Sequence, residues 1–130
     1  MPHRFSVRVY YEDTDLAGIV YYANYLKFIE RARSEWVREI GVDQVALKAE
    51  HGIVFAVRRV EADYLASAKF DDMLDVVTEV QVISAARITL TQDVTRGDAV
   101  LFKSLITLVC IGADGRPQRL PADIRQLMQR

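Results

Sequence analysis

A chain of 130 residues, 51% hydrophobic and 27% charged, has the length and mix of one globular domain spanning residues 1–130. Its net charge of −1 provides no basic surface of the kind nucleic acid requires, although a local basic patch could still serve an anionic small molecule. The single Cys110 cannot form an internal disulfide, the N-terminus has no signal-type apolar run, and no 18-residue apolar stretch exists; these features predict a cytoplasmic protein in a reducing compartment.

Phe5, Val7, Val9 and Tyr11 alternate with Ser6, Arg8 and Tyr10, which predicts a strand with one buried face. A polar turn, Glu12-Asp13-Thr14-Asp15, precedes Leu16-Ala17-Gly18. From about Tyr22 the period becomes helical. Tyr22, Tyr25, Leu26, Ile29, Ala32, Trp36, Val37 and Ile40 fall on one face, and Gly41 supplies the stop. A short second helix, about Asp43 to Glu50, ends near Gly52. The remainder reads as strands: Ile53–Leu65 with a bulge near Arg58-Arg59, then Leu74–Ser84 and Arg87–Thr95. A hairpin turn at Gly97-Asp98 leads to Val100–Ile111, whose two apolar faces mark it as central or covered. Pro121 opens a short C-terminal helix reaching Met128.

This order predicts an α+β fold, with one long helix wrapped by a curved five-stranded antiparallel sheet. A parallel sheet would need helical crossovers, and none follows residue 52 until the C-terminus.

The loop Asp13–Gly18 carries two carboxylates and a glycine just before the helix. A helix start offers unpaired N–H groups and a partial positive charge, so a carbonyl placed there is polarised. A facing carboxylate can attack that carbonyl or activate water. Carboxylates with a pKa of about 4 in water are ionised at neutral pH, and a thiol with a pKa of about 8.5 leaves without a strong general acid. The combination suits a thioester. The plain alternative is a solvated turn whose aspartates cap a helix. An EF-hand fails, because Ala17 and Asn24 occupy ligand positions. There is no Gly-x-Ser-x-Gly elbow and no phosphate-binding glycine loop. One cysteine with His3 and His51 makes no zinc set.

The stretch Val9-Tyr10-Tyr11-Glu12-Asp13-Thr14-Asp15-Leu16-Ala17-Gly18-Ile19-Val20-Tyr21-Tyr22-Ala23-Asn24-Tyr25 resembles the signature of the 4-hydroxybenzoyl-CoA thioesterase family. Glu30-Arg31-Ala32-Arg33-Ser34-Glu35 resembles the branch associated with the Tol-Pal envelope system. Ala62-Asp63-Tyr64-Leu65, Phe70-Asp71-Asp72-Met73-Leu74 and Gly115–Pro121 extend the likeness over nearly the whole chain. The resemblance implies a hotdog fold and hydrolysis of acyl-CoA thioesters without metal or bound cofactor. It implies Asp15 as the catalytic carboxylate and the backbone N–H of Tyr22 as donor to the thioester oxygen. The Tol-Pal branch more often has histidine at the Tyr22 position and the aromatic-CoA branch tyrosine, so the acyl group stays open. The resemblance also implies dimers, often assembled into tetramers, with active sites at subunit interfaces.

Other residues have separate expectations. Gly18 lets the loop turn sharply and borders the substrate. Asp13 is a structural cap or, less simply, a second catalytic carboxylate. Tyr25 belongs to the core or lines an acyl pocket, while Trp36, Phe28 and Cys110 are core. Glu30 to Glu35 forms a solvated or subunit-facing charged face with the pair Arg31 and Glu35. Arg58, Arg59 and Arg87 interrupt or begin strands and are candidates for the phosphates of coenzyme A. Two rival readings are a non-catalytic binder of acyl-CoA or acyl carrier protein, and a hotdog hydratase or dehydratase. The latter normally needs a histidine, which His3 and His51 are poorly placed to supply.

Overall fold

A computed structural model describes residues 2–129. The elements are β1 (His3–Arg8), a 3-10 turn (Tyr11–Asp13), α1 (Asn24–Glu39), α2 (Gln44–His51), β2 (Val54–Tyr64), β3 (Met73–Ile83), β4 (Arg87–Arg96), β5 (Ala99–Ile111) and α3 (Ala122–Met128). Five strands form one antiparallel sheet in the order β1-β3-β4-β5-β2.

α1 forms because its apolar residues recur on one stripe. Tyr25, Phe28, Ile29, Ala32, Trp36 and Val37 are buried against the sheet. Phe28, Ile29 and Val37 each contribute roughly 1.5–3 kcal/mol of transfer free energy. The sheet answers with alternate positions: Leu74 and Val76 on β3, Ile88, Leu90 and Val94 on β4, and Phe102, Ile106, Leu108 and Cys110 on β5. β5 lies between β4 and the edge strand β2, an interior position paired on both sides. The β4–β5 hairpin closes through Gly97 at φ +59°, with Arg96 opposite Ala99. The predicted bulge falls between Val57 and Arg59, leaving Arg58 as the extra residue. α2 is capped by Asp43, whose side chain accepts from the Ala46 N–H, and it ends at left-handed Gly52.

Three expectations change. β1 stops at Arg8 rather than reaching Tyr11, which is 82% exposed in the 3-10 turn. The Asp13 carboxylate draws in the Tyr10 N–H at 2.8 Å and bends the chain there. Tyr22 precedes α1 and is 60% exposed, and Leu26 within α1 is 42% exposed, so neither is on the buried stripe. The charged segment of α1 also divides differently. Glu35 pairs with Arg38 at 2.6 Å rather than with Arg31. Arg33 turns inward and donates to Gln92 Oε1 at 2.9 Å. Gln92 is fully buried and in turn donates to the Ile29 carbonyl and the Thr78 hydroxyl. Among the described residues, no helix is long and apolar enough to cross a membrane.

Candidate active site

The chain leaves β1 and is tied at once to the loop before β3. The Val9 N–H donates to the Asp72 carbonyl, and the Asp71 N–H donates to Val9, both at 2.9 Å. Asp13 is buried and acts as the cap expected of it. Its own carbonyl accepts two bonds of 2.9 Å, from the Tyr21 N–H and from Asn24 Nδ2. The loop is thereby joined to the first residue of α1.

Asp15 stands on a short hairpin between the bridged residues Thr14 and Val20. Its N–H donates to the Ile19 carbonyl at 3.0 Å, and its carbonyl accepts from the Gly18 N–H at 2.9 Å. Gly18 sits at φ +79°, a conformation that disfavours a side chain. The Asp15 carboxylate is exposed, and its Oδ1 accepts from the Ala17 N–H at 2.9 Å. Among the described residues, Oδ2 has no hydrogen-bond partner. One oxygen is oriented and the other is available.

The helix start lies alongside. Asp15, Val20, Tyr22, Tyr25, Tyr64 and Ser67 are among the residues lining a groove of 410 Å³. Tyr25 is buried and stacks on Phe102 with ring centres 5.0 Å apart and planes 6° apart, closing the base. Burial pushes the Tyr25 hydroxyl above its ordinary pKa, partly offset by the Ala68 N–H. Tyr64 forms a side wall, packed edge-on against Tyr25 and Phe102. Among the described residues, the backbone N–H of Tyr22 has no acceptor. The groove thus combines a carboxylate oxygen, a free N–H at a helix N-terminus and apolar aromatic walls. That set can hold an acyl group, polarise its carbonyl and present a base or nucleophile to it.

Three predicted site residues lie elsewhere in this chain. Tyr64 marks the groove end of β2, and Arg59 is five residues away, about 17 Å along a strand. Arg58 is beside it on the bulge, and Arg59 is engaged by Glu61 at 3.3 Å. Arg87 pairs with Val109, seven residues along β5 from Phe102, or roughly 23 Å. Residues not singled out from sequence do the bracing. Arg96 donates to the Ser67 carbonyl at 3.2 Å and to Asp72 Oδ2 at 2.8 Å, holding the groove wall. The Lys69 N–H, with Arg96 behind it, holds the Asp72 carboxyl below its ordinary pKa. Tyr64 stood in a segment of family resemblance, which was the one signal available for it.

Residues 9–128 match the family model described as the thioesterase-like superfamily. The chain belongs to that superfamily. It is 39% identical over 93% of its length to the acyl-CoA thioesterase YbgC of Haemophilus influenzae, covering 90% of that protein. It is also 39% identical to the acyl-CoA thioester hydrolase YbgC of Escherichia coli O157:H7, over 93% of this chain and 91% of that one. Among solved structures, a probable thioesterase from Bartonella henselae aligns with a TM-score of 0.89 at 34% identity, covering 93% of this chain and 100% of that one. Slr0204, a 1,4-dihydroxy-2-naphthoyl-CoA thioesterase from Synechocystis, has a TM-score of 0.90 at 20% identity, over 99% of this chain and 96% of that one, a likeness of fold alone. The five-stranded sheet and its long helix are the hotdog fold of thioesterases.

Proposed function

We propose that this thioesterase hydrolyses acyl-CoA to the free acid and coenzyme A in the Asp15 groove. The observation that carries the reading is the shared geometry of Asp15 and Tyr22, a carboxylate with one unengaged oxygen lining the same groove as an unpartnered N–H at the helix start. The relatives named above, 39% identical over most of the chain, supply the substrate class. The thioester carbonyl oxygen accepts from the Tyr22 N–H, which stabilises the developing oxyanion. Asp15 then acts in one of two ways. Its free oxygen attacks the carbonyl carbon, forms a mixed anhydride and expels the CoA thiolate, and water hydrolyses the anhydride. Alternatively it takes a proton from water, which attacks instead. Gly18 keeps the turn that aims the carboxylate, and Tyr25 closes the acyl end.

Subunit pairing would complete the site. β2 is an edge strand of 11 residues whose Val57, Val60 and Tyr64 are exposed. Such an edge is a template for a second copy. In a dimer or tetramer, Arg58, Arg59 or Arg87 could reach the coenzyme A phosphates of a neighbouring site. The likeness of Glu30–Glu35 to the Tol-Pal branch supports an enzyme serving the cell envelope, and the lone Cys110 supports a reducing, cytoplasmic compartment. The donor in this reading is acyl-CoA or an acyl carrier protein.

Thiol release from short-chain, long-chain and 4-hydroxybenzoyl-CoA is the test. Turnover on any member supports hydrolysis and names the acyl class. Binding of these thioesters with no thiol release would favour a non-catalytic acyl-CoA binder instead.

A further inference from the structure

The two peptide planes that meet at the Tyr22 Cα are each held through their carbonyl oxygen. In the Tyr21–Tyr22 plane, the Tyr21 carbonyl accepts from the Asn24 N–H at 2.8 Å. In the Tyr22–Ala23 plane, the Tyr22 carbonyl accepts from the Tyr64 hydroxyl at 3.0 Å. A regular helix would satisfy the Tyr22 carbonyl with the Leu26 N–H, four residues on. Here the Leu26 N–H donates to Ala23 at 3.2 Å instead. A side chain 42 residues away in sequence therefore supplies the bond that the helix omits.

The consequence concerns the opposite edge of each plane. In a trans peptide, N–H and C=O point in opposite directions. Fixing the Tyr22 carbonyl toward Tyr64 fixes the Ala23 N–H away from it, and it limits rotation at the Tyr22 Cα that would swing the Tyr22 N–H out of line. Among the described residues, neither N–H has an acceptor. The Tyr64 ring is itself held by edge-on contacts with Tyr22, Tyr25 and Phe102, so its hydroxyl is not free to wander.

We propose that Tyr64 is a positioning residue for thioester hydrolysis, its hydroxyl fixing the Tyr22–Ala23 peptide so that the free N–H groups of the helix start face the acyl carbonyl. This rests on the Asp15–Tyr22 reading of the site. Of the two carbonyl bonds, only this one can be removed by a side-chain substitution.

The test is Tyr64→Phe, which keeps the ring packing and deletes only the hydroxyl. On an acyl-CoA that the native enzyme turns over, kcat should fall about tenfold with KM within about twofold of native. In 15N-labelled protein, the Tyr22 and Ala23 amide signals should shift and exchange faster with solvent, while distant amides stay in place. Kinetics are run well below the melting temperature of the variant, so a modest loss of stability does not obscure the comparison. Native kcat, a rise in KM alone, or a fall in kcat with unmoved Tyr22 and Ala23 amides would each overturn the proposal. Asp15→Asn is measured alongside. If that variant keeps full turnover, the site reading fails. If it is inactive while Tyr64→Phe is native, only the role of Tyr64 fails.

Discussion

Asn24 Nδ2 donates to the carbonyl oxygen of Asp13 at 2.9 Å, linking the first residue of α1 to the loop that carries Asp15. The same carbonyl accepts from the Tyr21 N–H. The spacing between carboxylate and helix start is therefore set by one shared acceptor.

Removing that link should cost more activity than stability. Asn24→Ala is expected to lose about 1 kcal/mol of stability, the usual worth of such a bond. Turnover should drop between about five- and fifty-fold, because small misplacements of reacting groups are costly. Asn24→Asp should do as badly, since an ionised aspartate cannot donate. Parallel melting and thiol-release measurements check both variants.

Gly18→Ala tests the loop itself. At φ +79° a β-carbon is strained, although nothing lies within 4 Å of where it would sit. The expected penalty is about 1–2 kcal/mol, relieved by shifting the turn that orients Asp15. A lower kcat with unchanged overall circular dichroism is the anticipated result.

Cys110 should be chemically silent. It is fully buried on β5, and burial pushes its thiol from 9.0 up to about 11. A thiol reagent at pH 8 should leave the native protein unlabelled and fully active, and label it only in denaturant. The sign for stability follows from the raised value. The protonated form is favoured in the fold, so stability is whole below the unfolded value of 9.0 and declines as pH climbs through about 11. Denaturant titrations at pH 8 and pH 11 would show it.

Gln92 joins helix to sheet in the core, bonded to Ile29, Thr78 and Arg33. Gln92→Leu fills the same space but leaves those three groups without their partner. The expected loss is about 2–3 kcal/mol, seen as a melting temperature lower by roughly 8 °C. Leu90→Met, a nearby buried swap without polar consequences, should cost less than about 1.5 kcal/mol.

Much of this was legible where the chain solves a local problem. Gly41 and Gly52 end helices, Gly97-Asp98 closes a hairpin, and the broken alternation at Arg58 marks the bulge. The Asp13–Gly18 loop was legible as two carboxylates and a glycine just ahead of a helix, and the family resemblance alone singled out Asp15 within it. What sequence did not yield depends on distant partners. Tyr64 reaches Tyr22 across 42 positions, and Arg33 leaves a charged helix face for Gln92, 59 positions away. The arginines were chosen for their charge and for their places where strands are interrupted or begin. The antiparallel pairing of β2, β5 and β4 carries them up the strands, away from the groove.

The most direct test of the account is saturating thiol-release turnover of Asp15→Asn against the native chain on the same acyl-CoA. The amide keeps the volume and can still accept from the Ala17 N–H, but it loses the charge that attacks or takes a proton. Turnover should fall by at least about a hundredfold with an unchanged melting profile. Native turnover in a folded Asp15→Asn protein would contradict the account.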